Sequence, residues 1–148
     1  MRTAIALSLL MLCLSMPTAW ASKDLPHVTP QDFEKTITNT YGLRVVQVWA
    51  HWCPYCKKAE PEVADFVRRY HRQVPLYILD YNEHKEFATS LGIKKIPTFL
   101  LFHDGKYVRT LRDVPTSYSM AKWINRYAKR IYGDSFLELP PTPPEVKN

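Results

Sequence analysis

The hydrophobic positions of the chain follow two rhythms in alternation. LRVVQVWA (43–50) is β-branched and aromatic, of strand length and mostly apolar on both faces, the pattern of a buried central strand. VPLYILDYN (74–82) predicts a second buried strand. TFLLF (98–102) and YVRTLRD (107–113) predict two more, joined through His103, Asp104, Gly105 and Lys106. The Asp-Gly pair there is the signal for a tight hairpin. Elsewhere the spacing shifts to three and four. Thr29 as a cap, Pro30 at the first helical position, Phe33 and Ile37 four apart and Gly42 at the close predict a helix over 30–40. A second helix starts at Cys53, with Ala59, Val63, Phe66, Val67 and Tyr70 on one stripe. Pro61 inside it removes a backbone donor and predicts a kink. Phe87 and Leu91 place a short helix over 83–92, ended by Gly92. Met120, Trp123, Ile124, Tyr127 and Ile131 form the core stripe of a last helix over 117–132. Strand–helix alternation followed by a hairpin and a helix predicts an α/β fold, a mixed sheet with helices on both faces.

The two ends break these rhythms. Arg2 precedes an apolar or small run over 4–16, Pro17 interrupts it, and Ala19-Trp20-Ala21 has the small-x-small pattern of a cleavage site. Residues 1–21 therefore read as a secretory signal peptide, with a mature chain starting near Ser22 in the periplasm or otherwise secreted. The run is shorter than the ~20 residues of a spanning helix, so the mature chain is expected to carry no transmembrane segment. Residues 133–148 hold Pro140, Pro141, Pro143 and Pro144 and predict an extended or disordered tail rather than a packed one. Between them, 22–132 has the length of one domain.

Charge and cysteine count narrow the function. The formal net charge of +6 is dispersed in pairs, at Lys57-Lys58, Arg68-Arg69, Lys94-Lys95 and Lys129-Arg130. Such pairs read as solvated faces with loose affinity for acidic partners or anionic membrane surface, and export argues against nucleic acid. Of three cysteines, Cys13 falls in the signal segment. Cys53 and Cys56 remain, too few for a disulfide-stapled scaffold, in a compartment where disulfides persist.

Those two cysteines stand in WAHWCPYCKK (49–58). A thiol pair at this spacing is a redox-active disulfide, half of a soft-metal site, or an inert structural bridge. Trp49-Ala50-x-Trp52-Cys53, the Cys53/Cys56 pair, Pro61 in the following helix and Ile96-Pro97-Thr98 before a strand and an Asp-Gly hairpin resemble the thioredoxin family; Gly92, five residues before Pro97, also fits. The resemblance covers roughly 30–131. It implies a thioredoxin-like fold and a protein thiol-disulfide oxidoreductase with no bound cofactor beyond its own disulfide. It also implies protein substrates bearing disulfides or thiols. A low reduction potential would mean a reductant fed by a membrane electron donor, and the chain is expected to be a monomer. Pro97 should follow a cis bond and face the cysteines, with the Ile96 backbone pairing with an extended substrate strand. Trp52 should pack beside the site, plain core filling being the other reading.

Elementary chemistry supports the same roles. The thiolate is the attacking species, and a cysteine at a helix N-terminus gains from unpaired backbone N–H groups and the macrodipole. Cys53 is expected there, with Cys56 one turn later on the same face and less exposed. Cys53 then attacks a substrate disulfide and Cys56 resolves the mixed disulfide. His51, as a cation, would lower the thiol pKa; Lys57 has a similar tuning role; simple exposure is the alternative for both.

Three departures limit the resemblance. Many thioredoxins hold a buried acid six residues before the first cysteine, where this chain has Gln47, which cannot titrate. The family's glycine near the last strand is missing from TLRDVPTS (110–117), so that strand end should differ locally. Pro54-Tyr55 resembles the glutaredoxin pair, and by analogy a less reducing one, yet no Gly-Gly glutathione segment is present. Reduction or isomerisation is favoured over oxidation. The competing class is a copper-type carrier using the Cys pair, although no second CxxC follows and tetrahedral zinc wants four ligands. The third reading is an interaction module whose bridge is structural, which would stabilise little over so short a loop.

Overall fold

The computed structural model describes residues 25–133 and 136–141. The proposed signal segment lies outside them. Four strands form one sheet: β1 (Leu43–Trp49), β2 (Leu76–Asp80), β3 (Thr98–His103) and β4 (Lys106–Arg112), in the order β2-β1-β3-β4. β2 runs parallel to β1, whereas β3 is antiparallel to β1 and β4 to β3. The outer edge of β2 is met by the N-terminal segment, where Val28 N–H donates to the Ile78 carbonyl and Ile78 N–H to the Pro26 carbonyl. This is the mixed sheet that the alternation of patterns predicts.

Alternate residues of β1 feed two cores. Leu43 and Val45 pack with Val63, Phe66 and Val67 of α1 (Pro54–Tyr70) and with Met120, Trp123 and Ile124 of α3 (Ser117–Tyr132). Val46 and Val48 pack on the other face with Phe33, Ile37 and Ala88, the last from α2 (Lys85–Ser90). Both helical stripes bury as their spacing dictates, except that Ile131 is 46% exposed. It sits in the last turn of α3, past the end of the sheet it was expected to cover. Pro61 lies inside one continuous α1.

Two expectations need correction. The first helix is short and wide: Glu34–Thr38 is π-helical, with the Asn39 N–H reaching back five residues to the Glu34 carbonyl. Thr29 does not cap it by accepting; its N–H and hydroxyl both donate to the Asp32 carboxylate. Phe33 and Ile37 still point inward. The second correction is the tail. Leu137 is buried in the first core, and Asn125 clamps its backbone, donating to the Leu137 carbonyl at 2.8 Å and accepting its N–H at 3.0 Å. The Tyr70 hydroxyl donates to the Glu138 carbonyl. The domain therefore extends past residue 132, because one apolar residue and a side-chain clamp outweigh the proline-rich composition. Residues 142–148 lie outside the described residues.

Candidate active site

The register of the sheet assembles the site. β3 is antiparallel to β1 with Val48 opposite Thr98, so residues 96–97 arrive where β1 ends and the cysteine motif begins. The Ile96-Pro97 peptide bond is cis, and Pro97 is buried. After Trp49 the chain turns, with Cys53 N–H donating to the Ala50 carbonyl at 3.1 Å. Cys53 is extended (φ −82°, ψ 111°) and is the N-cap of α1. Pro54 follows at the first helical position, where its fixed φ suits the helix and its missing N–H costs nothing.

The cap is a thiol. Cys53 Sγ accepts the Cys56 N–H at 3.2 Å, as a Ser or Asp oxygen would at an N-cap. In the protonated form the Cys53 thiol faces the Ile96 carbonyl at 3.8 Å. One sulfur is thus shared between a helix N-terminus and the backbone beside the cis proline. Both cysteines are free thiols. They are buried, Cys53 at 3% exposure and Cys56 at 0%, in a small cluster with Ala50 against Trp49, Tyr81 and Ile96. Burial, then the hydrogen bond with the Cys53 thiol, pushes the Cys56 thiol up to about 12 from the usual thiol value; the charges of Cys53 and Glu60 act in the same direction. The two sulfurs are therefore unequal: the first caps the helix, and the second is held protonated.

Gln47 sits where the expected acid is absent. It is 1% exposed on the β1 face that carries Val45 and Trp49. Among the described residues neither its amide nitrogen nor its oxygen has a hydrogen-bond partner, and the Trp49 indole nitrogen is also unpaired.

Around this buried centre the remaining motif residues are outside. His51, Pro54 and Lys57 are exposed. Trp52 is 54% exposed, which removes the core-filling reading, and Tyr55 is 65% exposed. The helix starts at the surface, so its first turn carries these side chains into solvent. Ile96, Pro97 and Tyr55 open a cleft of about 490 Å³ that is also lined by Lys58, Lys95 and Asp113. Sequence reasoning saw the first three and missed the last three. Signals were present for two of them. Lys95 immediately precedes Ile96-Pro97, and Asp113 lies in the segment lacking the expected glycine. The backbone there still takes a positive φ of 83°, with an aspartate in the left-handed region. Aspartate tolerates this better than most residues.

Among the described residues no group of three or more His, Cys, Asp or Glu is gathered to hold a metal ion. No helix among them is long and apolar enough to cross a membrane.

Comparison with known proteins agrees with this geometry. The family model described as thioredoxin matches residues 24–126. The thioredoxin of Pseudomonas aeruginosa is 30% identical over 89 residues, covering 60% of this chain and 82% of that protein. The thioredoxin of Rickettsia bellii is 27% identical over 99 residues, covering 67% and 94%. A chain from a structural study of thiol resolution in yeast mitochondrial 1-Cys peroxiredoxin, via glutathione and thioredoxin systems, superposes with a TM-score of 0.64 at 18% identity. It covers 72% of this chain and 98% of its own length, a likeness of fold. With the family matched over more than half its length and the sheet, helices and cysteine motif in place, this chain belongs to the thioredoxin family.

Proposed function

We propose that this thiol-disulfide oxidoreductase is exported and works on protein substrates in the reducing or isomerising direction, as a monomer, with its own Cys53–Cys56 pair as the redox group. The observation that carries the site assignment is the position of Cys53. It caps α1, accepts the Cys56 N–H and lies against the Ile96 carbonyl beside Pro97.

The cycle balances within the dithiol and the substrate disulfide. The Cys53 thiolate attacks one substrate sulfur, forming a mixed disulfide, and the other substrate sulfur leaves as a thiolate. Cys56 then gives up its proton and attacks Cys53 Sγ. The intramolecular disulfide forms, the second substrate sulfur leaves, and two electrons have passed to the substrate. Burial holds Cys56 protonated, so it must lose that proton before it attacks. No titrating side chain stands at Gln47 to help. The Ile96 backbone is available to pair with an extended substrate segment.

The sequence of residues 1–21 supports export, and periplasmic or otherwise secreted localisation follows from it. A membrane electron donor would return electrons to the pair after each turnover. The similarity to proteins named thioredoxin supports the reducing direction. The copper-carrier alternative finds no further ligand beside the two cysteines among the described residues.

The reduction potential of the purified pair tests the direction. A value near about −270 mV supports a reductant, whereas one near about −120 mV would reassign the protein as an oxidase. Failure to cycle between dithiol and disulfide, or to reduce a model protein disulfide, would remove the oxidoreductase reading itself. Mass measurement of the exported protein checks cleavage after Ala21.

A further inference from the structure

The cleft beside Pro97 carries a charge that the sulfur chemistry does not use. Lys58, from the early part of α1, and Lys95, just before the cis bond, both line it. Asp113, just past β4, supplies its carboxylate. The Lys95 ammonium is 3.4 Å from that carboxylate, but the two side chains are 59% and 83% exposed, so water screens the pair and it holds little. Among the described residues Lys58 makes no ion pair. Two of the three acids of α1 are engaged elsewhere: Glu62 accepts the Ser117 N–H at 2.7 Å, and Asp65 pairs with Arg68 and Arg69. The third, Glu60, is near enough to Cys56 for its charge to bear on that thiol, and it adds a negative charge on this side of the helix. The cleft is therefore lined by two ammonium groups against one carboxylate, and Asp113 offsets them only in part.

The same cleft is where a substrate must lie. Cys53 Sγ touches the Ile96 carbonyl, and Ile96 and Pro97 form part of the cleft wall. An extended peptide bonded through its cysteine to Cys53 advances about 3.3 Å per residue.

We propose that this cleft selects acidic substrates: segments with Glu or Asp one or two residues from the reacting cysteine, received by Lys58 and Lys95. The inference rests on the thiol-exchange reading of Cys53 and deepens it by naming the substrate class. The ammonium groups raise the encounter rate with an acidic segment and fix its direction across Pro97, effects that weaken as salt rises. Asp113 acts against them.

The test uses three matched peptides with a single cysteine flanked by Glu, Gln or Lys, each joined by a disulfide to a chromophoric aryl thiol. Cys53 bonds to the peptide sulfur, and the aryl thiolate leaves with the bonding electron pair and is read by its colour. Rates are normalised to those with a small neutral thiol, which removes differences in the peptides themselves. The Glu peptide should react about 10-fold faster than the Lys peptide at low ionic strength, and the gap should close near about 0.5 M salt. The double variant Lys58→Glu, Lys95→Glu should reverse the order, and Asp113→Asn should widen the original gap. Equal normalised rates for the three peptides, or an order that the variants leave unchanged, would overturn acidic selection while the exchange chemistry stands. No release from any peptide would overturn the exchange reading, and this inference with it.

Discussion

The two ends of β1 are built to opposite specifications. At the Leu43 end the backbone of the turn is paired across the hairpin, although Arg44 Nε is buried without a partner among the described residues. Gly42 N–H donates to Asp104 Oδ1 at 2.7 Å, and Asp104 N–H donates to the Gly42 carbonyl at 3.1 Å. The hairpin tip takes positive φ at both Asp104 and Gly105, 47° and 74°, the form that matches the twist of paired strands. It presses so closely on the first helix that a Cβ on Gly105 would fall 1.7 Å from the Thr38 carbonyl oxygen. Phe33 packs edge-to-face against Phe87 and Phe102 on that side. At the Trp49 end the reverse holds. Gln47 and the Trp49 indole are buried without partners among the described residues, Cys56 is a buried thiol pushed to about 12, and Trp52 and Tyr55 stand in solvent. Departures from local rules are more numerous where the strand meets chemistry than where it is only scaffold, as expected of a functional site.

Substitutions at each end should separate activity from stability. Cys53→Ser should lower disulfide exchange by at least about 10³-fold, since a hydroxyl is a poor nucleophile at its ordinary pKa. Its thermal midpoint should stay close to that of the parent, because Ser still caps the helix. At the other end Gly105→Ala should do the opposite. A methyl group driven into Thr38 at positive φ should destabilise the fold by about 2–4 kcal/mol, read from a denaturant midpoint. Exchange per folded molecule should not change.

The pH dependence sharpens the contrast between the two sulfurs. The folded-state pKa of Cys56 is raised from 9.0 to about 12, so the stability it contributes is present below pH 9 and is lost as pH rises toward 12. Denaturation of the reduced protein across that window should show a downward slope that Cys56→Ala lacks. Alkylation of the reduced protein at pH 8 should leave Cys56 largely unmodified, read by peptide mapping. The smallest effect expected is that of Gln47→Leu. Removing two unpaired buried groups should leave stability unchanged or raise it by about 1 kcal/mol, by the same denaturant measurement.

Much of this was legible because it depends on neighbours in sequence. The strand runs, the Asp104-Gly105 turn and the α3 boundaries follow from spacing and turn chemistry alone. The Cys53 cap follows from three consecutive residues and the helix behind them. What was not legible depends on distant partners. Leu137 is buried because Asn125 pairs with its backbone, which the prolines around it conceal. Trp52 is exposed because β1 ends at Trp49 and the chain turns outward, so of two tryptophans three residues apart one is partly buried and the other is not. Lys58, Lys95 and Asp113 meet only once β3 has been paired against β1. Spacing carries no trace of that.

The central claim is the division of labour between the two sulfurs, and covalent trapping tests it most directly. Cys56→Ser and Cys53→Ser are each mixed with an excess of a disulfide-bonded peptide and analysed by intact mass and peptide mapping. The account predicts about one mole of mixed disulfide per mole of Cys56→Ser, located on Cys53, and almost none on Cys53→Ser. Equal trapping by the two variants, or an adduct found on Cys56, would contradict it.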